Sequence, residues 1–210
     1  MKRVASISLV AVGAVAGFWA AGLVARPAVA EPEKKAPAAA AAPDEAAMME
    51  AWLKVSTPGA EHKLLDQFAG TWTAKSTWFM PGAPPDVNAG EMKCTWVLGG
   101  RWLRQEWTGT MMGQPHVGIG YWGYDVQGKA FAGLWMDSMG TAWMTTSGSH
   151  DAAAHTWTMT GTFKDPIGNT WKQRQVIGVK NADENWIELH HTGPDGKEAL
   201  AGKIEYTRKK

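Results

Sequence analysis

The chain has 210 residues, a formal net charge of +1 and one cysteine, Cys94. A single cysteine excludes an intrachain disulfide, so the folded part must be stabilised by burial. The only basic block outside the extreme N-terminus is Arg208–Lys210, and this charge pattern gives no support for nucleic-acid binding. Thirteen Trp accompany five Phe and three Tyr, which predicts a core rich in indole rings whose N–H groups need acceptors when buried.

The N-terminus has the order of a secretory signal. Lys2 and Arg3 precede an apolar run from Val4 to Val24, and Ala28-Val29-Ala30 stands before Glu31. We therefore predict that residues 1–30 are a secretion signal and that the protein is periplasmic or secreted. The apolar run is also long enough to span a bilayer, so an uncleaved anchor is the alternative and would be the chain's contact with a membrane.

Residues 31–56 are rich in Ala, Pro and charged residues, and they predict a flexible spacer with a helix from Asp44 to about Lys54. The domain that follows is predicted to cover residues 57–210. It begins with a short helix, in which Thr57 is the N-cap, Pro58 takes the first position and Gly70 marks the stop. The apolar face of this helix comprises Leu64, Leu65 and Phe68.

From Trp72 onward, short segments rich in Trp, Thr, Val and Ile alternate with Gly, Pro, Asn and Asp. The predicted strands are Trp72–Met80, Gly90–Leu98, Trp102–Met111, His116–Asp125, Lys129–Asp137, Thr141–His150, Thr156–Lys164, Thr170–Val179, Asn185–Thr192 and Lys197–Arg208. Links as short as these join antiparallel neighbours. A meander of this length closes and so removes its edges. The predicted fold is all-β, an up-and-down antiparallel β-barrel of about ten strands with an N-terminal helix.

The stretch between Gly120 and Trp143 ends in a polar tip, Asp137-Ser138-Met139-Gly140-Thr141. A serine beside an acid raises the question of a hydrolase, but the Gly-x-Ser-x-Gly pattern and its strand–turn–helix context are missing. We interpret the tip as a turn in which Gly140 is free to take positive φ. No catalytic residue and no metal ligand are predicted, since His150 and His155 have only Asp151 nearby.

Several motifs in order resemble one bacterial family, the domain of unknown function numbered 1579. They are EHKLLDQFAGTW, LGGRWLRQEWTGTMMGQPHVGIGYWGYD, WMDSMGT, KQRQV and TGPDGKE…EYTRK, between Pro58 and Lys209. The resemblance implies a barrel of the lipocalin and fatty-acid-binding type, with no established function. Gly70-Thr71-Trp72 resembles the Gly-x-Trp that opens calycin barrels, and Arg208 resembles the basic residue that packs across that Trp. Such a contact contributes about 0.5–2 kcal/mol.

In fatty-acid-binding barrels, inward Arg and Tyr side chains hold a ligand carboxylate. By this analogy we predict that Arg104, Trp135, Arg174 and Tyr206 bind a ligand. The alternative is that the arginines form structural pairs, with Glu106 and Glu188 as partners, or point outward, since strand alternation alone does not decide which face is inside. The leading hypothesis is a small apolar or amphipathic molecule inside the barrel, framed by Trp.

Two other functions stay open at this point. Nitrobindin-like barrels hold haem through a late histidine, and His190 and His191 stand late in this chain. These two are adjacent in a predicted strand, so they point to opposite faces and cannot both ligate one metal. The other alternative is a Trp-packed structural or interaction module without a ligand. No cofactor is predicted, and an enzyme is the less favoured interpretation.

Overall fold

The computed structural model describes residues 44–210; the predicted signal and residues 31–43 of the spacer lie outside them. Helix α1 (Glu45–Ser56) buries none of its residues, and Trp52 on it is 63% exposed. Helix α2 (Ala60–Lys63) and a 3-10 segment (Asp66–Phe68) follow. Neither helix of this part of the chain has the length and apolar character that crossing a membrane requires.

Ten antiparallel strands follow the helices. They are β1 (Gly70–Trp78), β2 (Asp86–Val97), β3 (Trp102–Met111), β4 (Gln114–Asp125), β5 (Ala130–Asp137), β6 (Met144–Asp151), β7 (Thr156–Lys164), β8 (Thr170–Asn181), β9 (Glu184–Thr192) and β10 (Glu198–Arg208). Each strand pairs with its neighbours in the chain, and β1 also pairs with β10, which closes the barrel. The predicted ten-stranded up-and-down barrel is confirmed, and closure leaves no unpaired edge.

Strand register identifies the inner face of the barrel, because directly opposed residues share a face. Trp72 opposes Met92 on β2, and all three of Trp72, Met92 and Leu103 are buried. The same face continues to Trp157 on β7, which is 1% exposed. Side chains two residues apart therefore point into the lumen, and those between them point outward.

The barrel has two different ends. We call the end at which β1 begins the lower end, and the opposite end the upper end. The segment before β1 covers the lower end: Leu65 is fully buried and Phe68 is 5% exposed. At the upper end, chain links such as residues 79–85 and 138–143 join the strands. The lower end is therefore plugged by the chain's own side chains.

The helix before β1 differs from its prediction. Helix α2 begins at Ala60 after the N-cap Gly59, whose N–H donates to His62 Nδ1 at 3.1 Å. Thr57 instead follows α1, and its hydroxyl donates to the Leu53 carbonyl at 2.6 Å. The predicted cap is wrong because this hydroxyl is already used by the preceding helix. Of the predicted apolar face, Leu64 is 37% exposed and the other two residues are buried.

Arg208 fastens the last strand to the first. Its guanidinium carbon lies 4.0 Å from the centre of the Trp72 ring. The group also donates hydrogen bonds to the carbonyls of Gln67, Ala69 and Ala182, at 2.7, 2.6 and 2.9 Å. The contact expected between this arginine and the tryptophan of the Gly-x-Trp motif is confirmed. Charge-assisted bonds to backbone carbonyls are among the stronger hydrogen bonds in proteins.

Candidate ligand-binding site

An aromatic cluster fills the lower half of the lumen. It consists of Phe68, Trp122, Phe131 and Trp157. Phe68 lies 4.9 Å from the Trp122 ring and 5.2 Å from the Trp157 ring, and the two indoles meet edge to face at 5.7 Å. These separations are typical of favourable aromatic pairs. The cluster crosses the lumen and closes it from below.

Tryptophans of the upper half lie along the wall instead. Trp135 covers Gly118 and Gly120, so that a Cβ added at Gly120 would stand 2.7 Å from the ring. Trp78 lies over Gly202 in the same way, with 2.6 Å to an added Cβ. Trp107 covers Gly90 and Gly109. We call these three the glycine-backed tryptophans, since only a residue without a Cβ permits such an approach to the backbone.

Two separate hydrogen bonds hold two of these indoles near a buried histidine. Trp107 Nε1 donates to His116 Nδ1 at 3.2 Å, so the ring proton of His116 stands on Nε2. That nitrogen lies 3.5 Å from Asp137 Oδ2, a distance too long for a good hydrogen bond. Asp137 Oδ2 accepts instead from Trp135 Nε1 at 2.8 Å. Each indole is therefore held against the wall by its own hydrogen bond.

The polar tip after β5 is a turn, as predicted. Asp137 Oδ1 accepts from the Met139 N–H at 2.9 Å, and Ser138 Oγ accepts from the Val117 N–H at 3.1 Å. The Ser138 hydroxyl therefore ties the turn to β4. Gly140 does not take a positive φ, which differs from the expectation for this position.

A small cavity of about 50 Å³ borders the aromatic cluster. Its lining residues are Phe68, Trp72, Met92, Cys94, Gln105, Trp122, Ile177, Asn185, Ile187 and Tyr206. A cavity of this volume holds a few water molecules. Pockets for drug-sized ligands measure about 300–1,000 Å³, so this cavity admits such a molecule only if side chains move.

The cavity wall mixes apolar surface with uncharged polar groups. Trp122 is 5% exposed, and its indole N–H has no acceptor among residues 44–210. Burial raises the pKa of the Cys94 thiol to about 12, although the nearby Arg208 acts in the opposite direction. Burial also raises the pKa of the Tyr206 phenol, with a further contribution from Cys94. Both groups are neutral at physiological pH, and the thiol is unreactive.

A second depression, of about 360 Å³, lies across β1, β10, β9 and β8. Exposed side chains of the outer face line most of it, among them Lys75, Lys180 and Glu205. Asn185 and Tyr206 line both this depression and the inner cavity. The wall between the two spaces is therefore thin at these residues.

Of the four predicted ligand-binding residues, two face the lumen and two face outward. Tyr206 lines the inner cavity, and Trp135 lies on the inner face of the upper half. Arg104 points outward, where it pairs with Glu106 at 2.9 Å. Arg174 also lies on the outer face, and its Nε donates to Glu198 at 2.9 Å.

Of the two alternatives left open by the sequence, the outward, paired one holds for both arginines, and the inward position of the fatty-acid analogy does not. Arg104 alternates with the fully buried Leu103, and Arg174 alternates with the buried Gln173, so both must face outward. Sequence reasoning also missed Gln105, Trp122 and Asn185 as cavity residues. The signal that could have found them is register, since they share the inner face with the Trp of the Gly-x-Trp motif.

The two late histidines do point to opposite faces, as predicted. His190 lies outward, 3.5 Å from Glu188 and 3.8 Å from Glu198. His191 lies inward, hydrogen-bonded to Gln173 at 2.9 Å and packed on Phe163 at 4.9 Å. Burial, with a smaller contribution from His190, lowers the pKa of His191. His191 does not line the inner cavity.

The earlier histidine pair flanks the turn between β6 and β7. His150 stacks on Trp157 with 4.2 Å between ring centres. Burial is the main cause that lowers the pKa of His150, and His155 adds to it. Within residues 44–210, no group of three His, Cys, Asp or Glu side chains is arranged to hold a metal ion.

Residues 57–208 match the family described as "Protein of unknown function (DUF1579)". The chain belongs to this family. No curated protein matches it. Among solved structures it is similar to that of Rv2717c from M. tuberculosis, with 12% identity, a TM-score of 0.56, and coverage of 73% of this chain and 100% of that one. The S-type phycobiliprotein lyase CPES from Guillardia theta has 15% identity, a TM-score of 0.49, and coverage of 73% and 99%. The first likeness supports a calycin-like fold, and at this identity it extends to the fold alone.

Proposed function

We propose that this protein binds a small amphipathic molecule inside the barrel, at the inner cavity. The observation that supports the proposal is that Trp122 lines a partly polar cavity while its buried N–H lacks an acceptor among residues 44–210. An unpaired buried donor is costly, and native structures usually satisfy it with a partner or a bound molecule. Gln105, Asn185 and Tyr206 add further hydrogen-bonding groups to the same wall.

The volume of about 50 Å³ requires that a ligand enlarge the cavity. Met92 is the lining side chain best suited to move, because its unbranched chain changes rotamer easily. The apolar part of the ligand would then extend toward the glycine-backed tryptophans, which lie along the wall. The aromatic cluster blocks the opposite direction.

The direct test is to purify the protein from its native host, extract it and identify any small molecule by mass spectrometry. Amphiphiles are then titrated while Trp fluorescence is followed. We expect a co-purifying molecule and quenching that saturates at one ligand per chain. Absence of both, across alcohols, esters, amines and fatty acids, would count against the proposal.

A second function, a packed interaction module without a ligand, is favoured by the small cavity volume. Its partner-facing surface would lie outside, where Val117, Ile119 and Met136 are 51, 39 and 37% exposed on β4 and β5. Cys94→Leu separates the two functions, because it fills the inner cavity. In a packed module this change leaves partner capture intact, whereas in a binding protein it removes the co-purifying molecule.

We further propose that the protein acts outside the cytoplasm, after cleavage behind Ala30. The support is the order of basic, apolar and small residues within residues 1–30. N-terminal sequencing of the protein from its host should give Glu31 as the first residue. A mature chain that still begins with the apolar run would favour the anchored alternative.

A further inference from the structure

The inner cavity contains no group that can neutralise an anion. Its ten lining residues include neither Lys nor Arg. Arg208 is the basic residue close enough to influence the Cys94 thiol. However, its guanidinium is stacked on Trp72 and donates to three backbone carbonyls. These contacts hold the arginine where the barrel closes.

The arginines that the fatty-acid analogy assigns to a ligand are also absent from this space. Arg104 is paired with Glu106, and Arg174 with Glu198, on the outer face of the barrel. A carboxylate placed in the inner cavity would lose its hydration and gain no direct ion pair, since Arg208 is stacked on Trp72 and already lies 3.6 Å from Asp183. Such an unpaired buried charge is far more costly than an uncharged polar group.

The ionisable groups already present respond to this environment. Burial holds both the Cys94 thiol and the Tyr206 phenol in their neutral forms. The same loss of hydration acts on a carboxyl group of a ligand and favours its protonated form. Burial in this cavity therefore favours the neutral form of an acidic group, whether that group belongs to the protein or to a ligand.

Trp122 lines the inner cavity, and its Nε1 is buried without an acceptor among residues 44–210. An indole N–H can donate but cannot accept. A bound molecule satisfies it only by offering an acceptor atom. Trp157 Nε1 is likewise buried without an acceptor, but Trp157 does not line the inner cavity.

We infer that the ligand of the inner cavity is an uncharged apolar molecule with an acceptor oxygen, such as an alcohol, ester or ketone, and is not a fatty-acid anion. The oxygen accepts from Trp122 Nε1, and the hydrocarbon part lies against Met92 and Ile187. This inference rests on the proposed function, since it names the chemical class that the same cavity takes.

The test compares probes that share an unbranched six-carbon chain, on the full protein chain, by calorimetry. The probes are 1-hexanol, methyl hexanoate and hexanoate. At about pH 8 we expect hexanoate to bind at least about tenfold more weakly than hexanol, because its carboxyl is ionised. At about pH 4, where part of the hexanoate is protonated, the difference should narrow.

A matched pair of variants tests the donor. Trp122→Phe removes the N–H of a lining indole, and Trp102→Phe removes that of an indole on the outer face, over Gly123. We expect Trp122→Phe to weaken hexanol binding by about 3–10-fold, the usual worth of one hydrogen bond, while Trp102→Phe leaves it unchanged. Near-UV circular dichroism checks that both variants keep the native packing.

The outcomes separate the inference from the proposed function. Hexanoate that binds as tightly as hexanol at about pH 8 would overturn the inference and leave ligand binding in place. Equal weakening by both tryptophan variants would overturn the assigned donor. Binding of no probe, together with no co-purifying molecule, would remove the proposed function and the inference with it.

Discussion

In the lower half of the barrel, Trp122 and Trp157 cross the lumen and meet Phe68, whereas in the upper half Trp78 and Trp135 lie along the wall over glycines. The same side chain thus either fills the interior or lines it. A glycine on the neighbouring strand permits an indole to lie flat, as Gly120 does for Trp135. It does not by itself produce that arrangement, since Trp122 crosses the lumen although Gly133 lies opposite it. Packing against Phe68 and Trp157 distinguishes Trp122 from the indoles along the wall.

The largest expected loss of stability comes from removing a ring of the aromatic cluster in the lower half. Phe68→Ala removes the ring that contacts both indoles of the aromatic cluster, and we expect a loss of about 3–5 kcal/mol in the free energy of unfolding. Urea denaturation followed by circular dichroism measures it. The control is Leu64→Ala, which changes a 37% exposed side chain. Equal losses would mean that Phe68 does not support the cluster.

Removing the Arg208 contacts that join the last strand to the first should lower the free energy of unfolding by somewhat less. Arg208→Met keeps an extended side chain but removes the donors to the carbonyls of Gln67, Ala69 and Ala182. We expect a loss of about 2–3 kcal/mol, measured by the same denaturation. Lys209→Met is the control, because that lysine pairs with Glu91 at the exposed surface and such pairs contribute about 0–1 kcal/mol.

The glycine-backed arrangement can be tested by adding one methyl group. A Cβ at Gly118 meets the Trp135 ring inside van der Waals contact, so Gly118→Ala should destabilise by about 1–3 kcal/mol. In a Trp135→Ala background the same change should cost much less. Gly140→Ala is the control, since nothing lies within 4 Å of its added Cβ. A penalty that persists without Trp135 would contradict the arrangement.

The smallest expected effect is a pH dependence. Burial lowers the pKa of His62, His150 and His191, so the unfolded chain binds more protons than the folded one as pH falls through the ordinary histidine value of about 6.5. The free energy of unfolding should therefore decrease as the pH is lowered from about 7.5 to about 5.5. His191→Gln should flatten this slope, and an unchanged slope would exclude His191 as a contributor.

The fold was accessible from sequence because it depends on local signals. Alternating apolar residues separated by short turn-forming links predict the number, order and antiparallel pairing of the strands. Strand ends were less exact: β1 begins at Gly70 and β2 at Asp86, because backbone pairing continues past the last apolar residue. The Arg208–Trp72 contact was also predictable, since a motif marks both partners.

The candidate site was less accessible, because tryptophan occurs on both faces of the barrel. Trp102 and Trp186 lie on the outer face over Gly123 and Gly178, just as Trp135 lies on the inner face over Gly120. Hydrophobicity therefore does not mark the inside. Only the closed register shows that Gln105 faces the lumen and Arg104 does not.

The pairing of β1 with β10 has a consequence for biosynthesis. Trp72 on β1 pairs with Arg208 on β10, so one edge of β1 stays unpaired until the last residues of the domain are present. Domains generally fold as units while the chain emerges from the ribosome at about 5–20 residues per second. Here the ring cannot close until β10 has been synthesised, and an open sheet edge is presented to chaperones and to other chains until then.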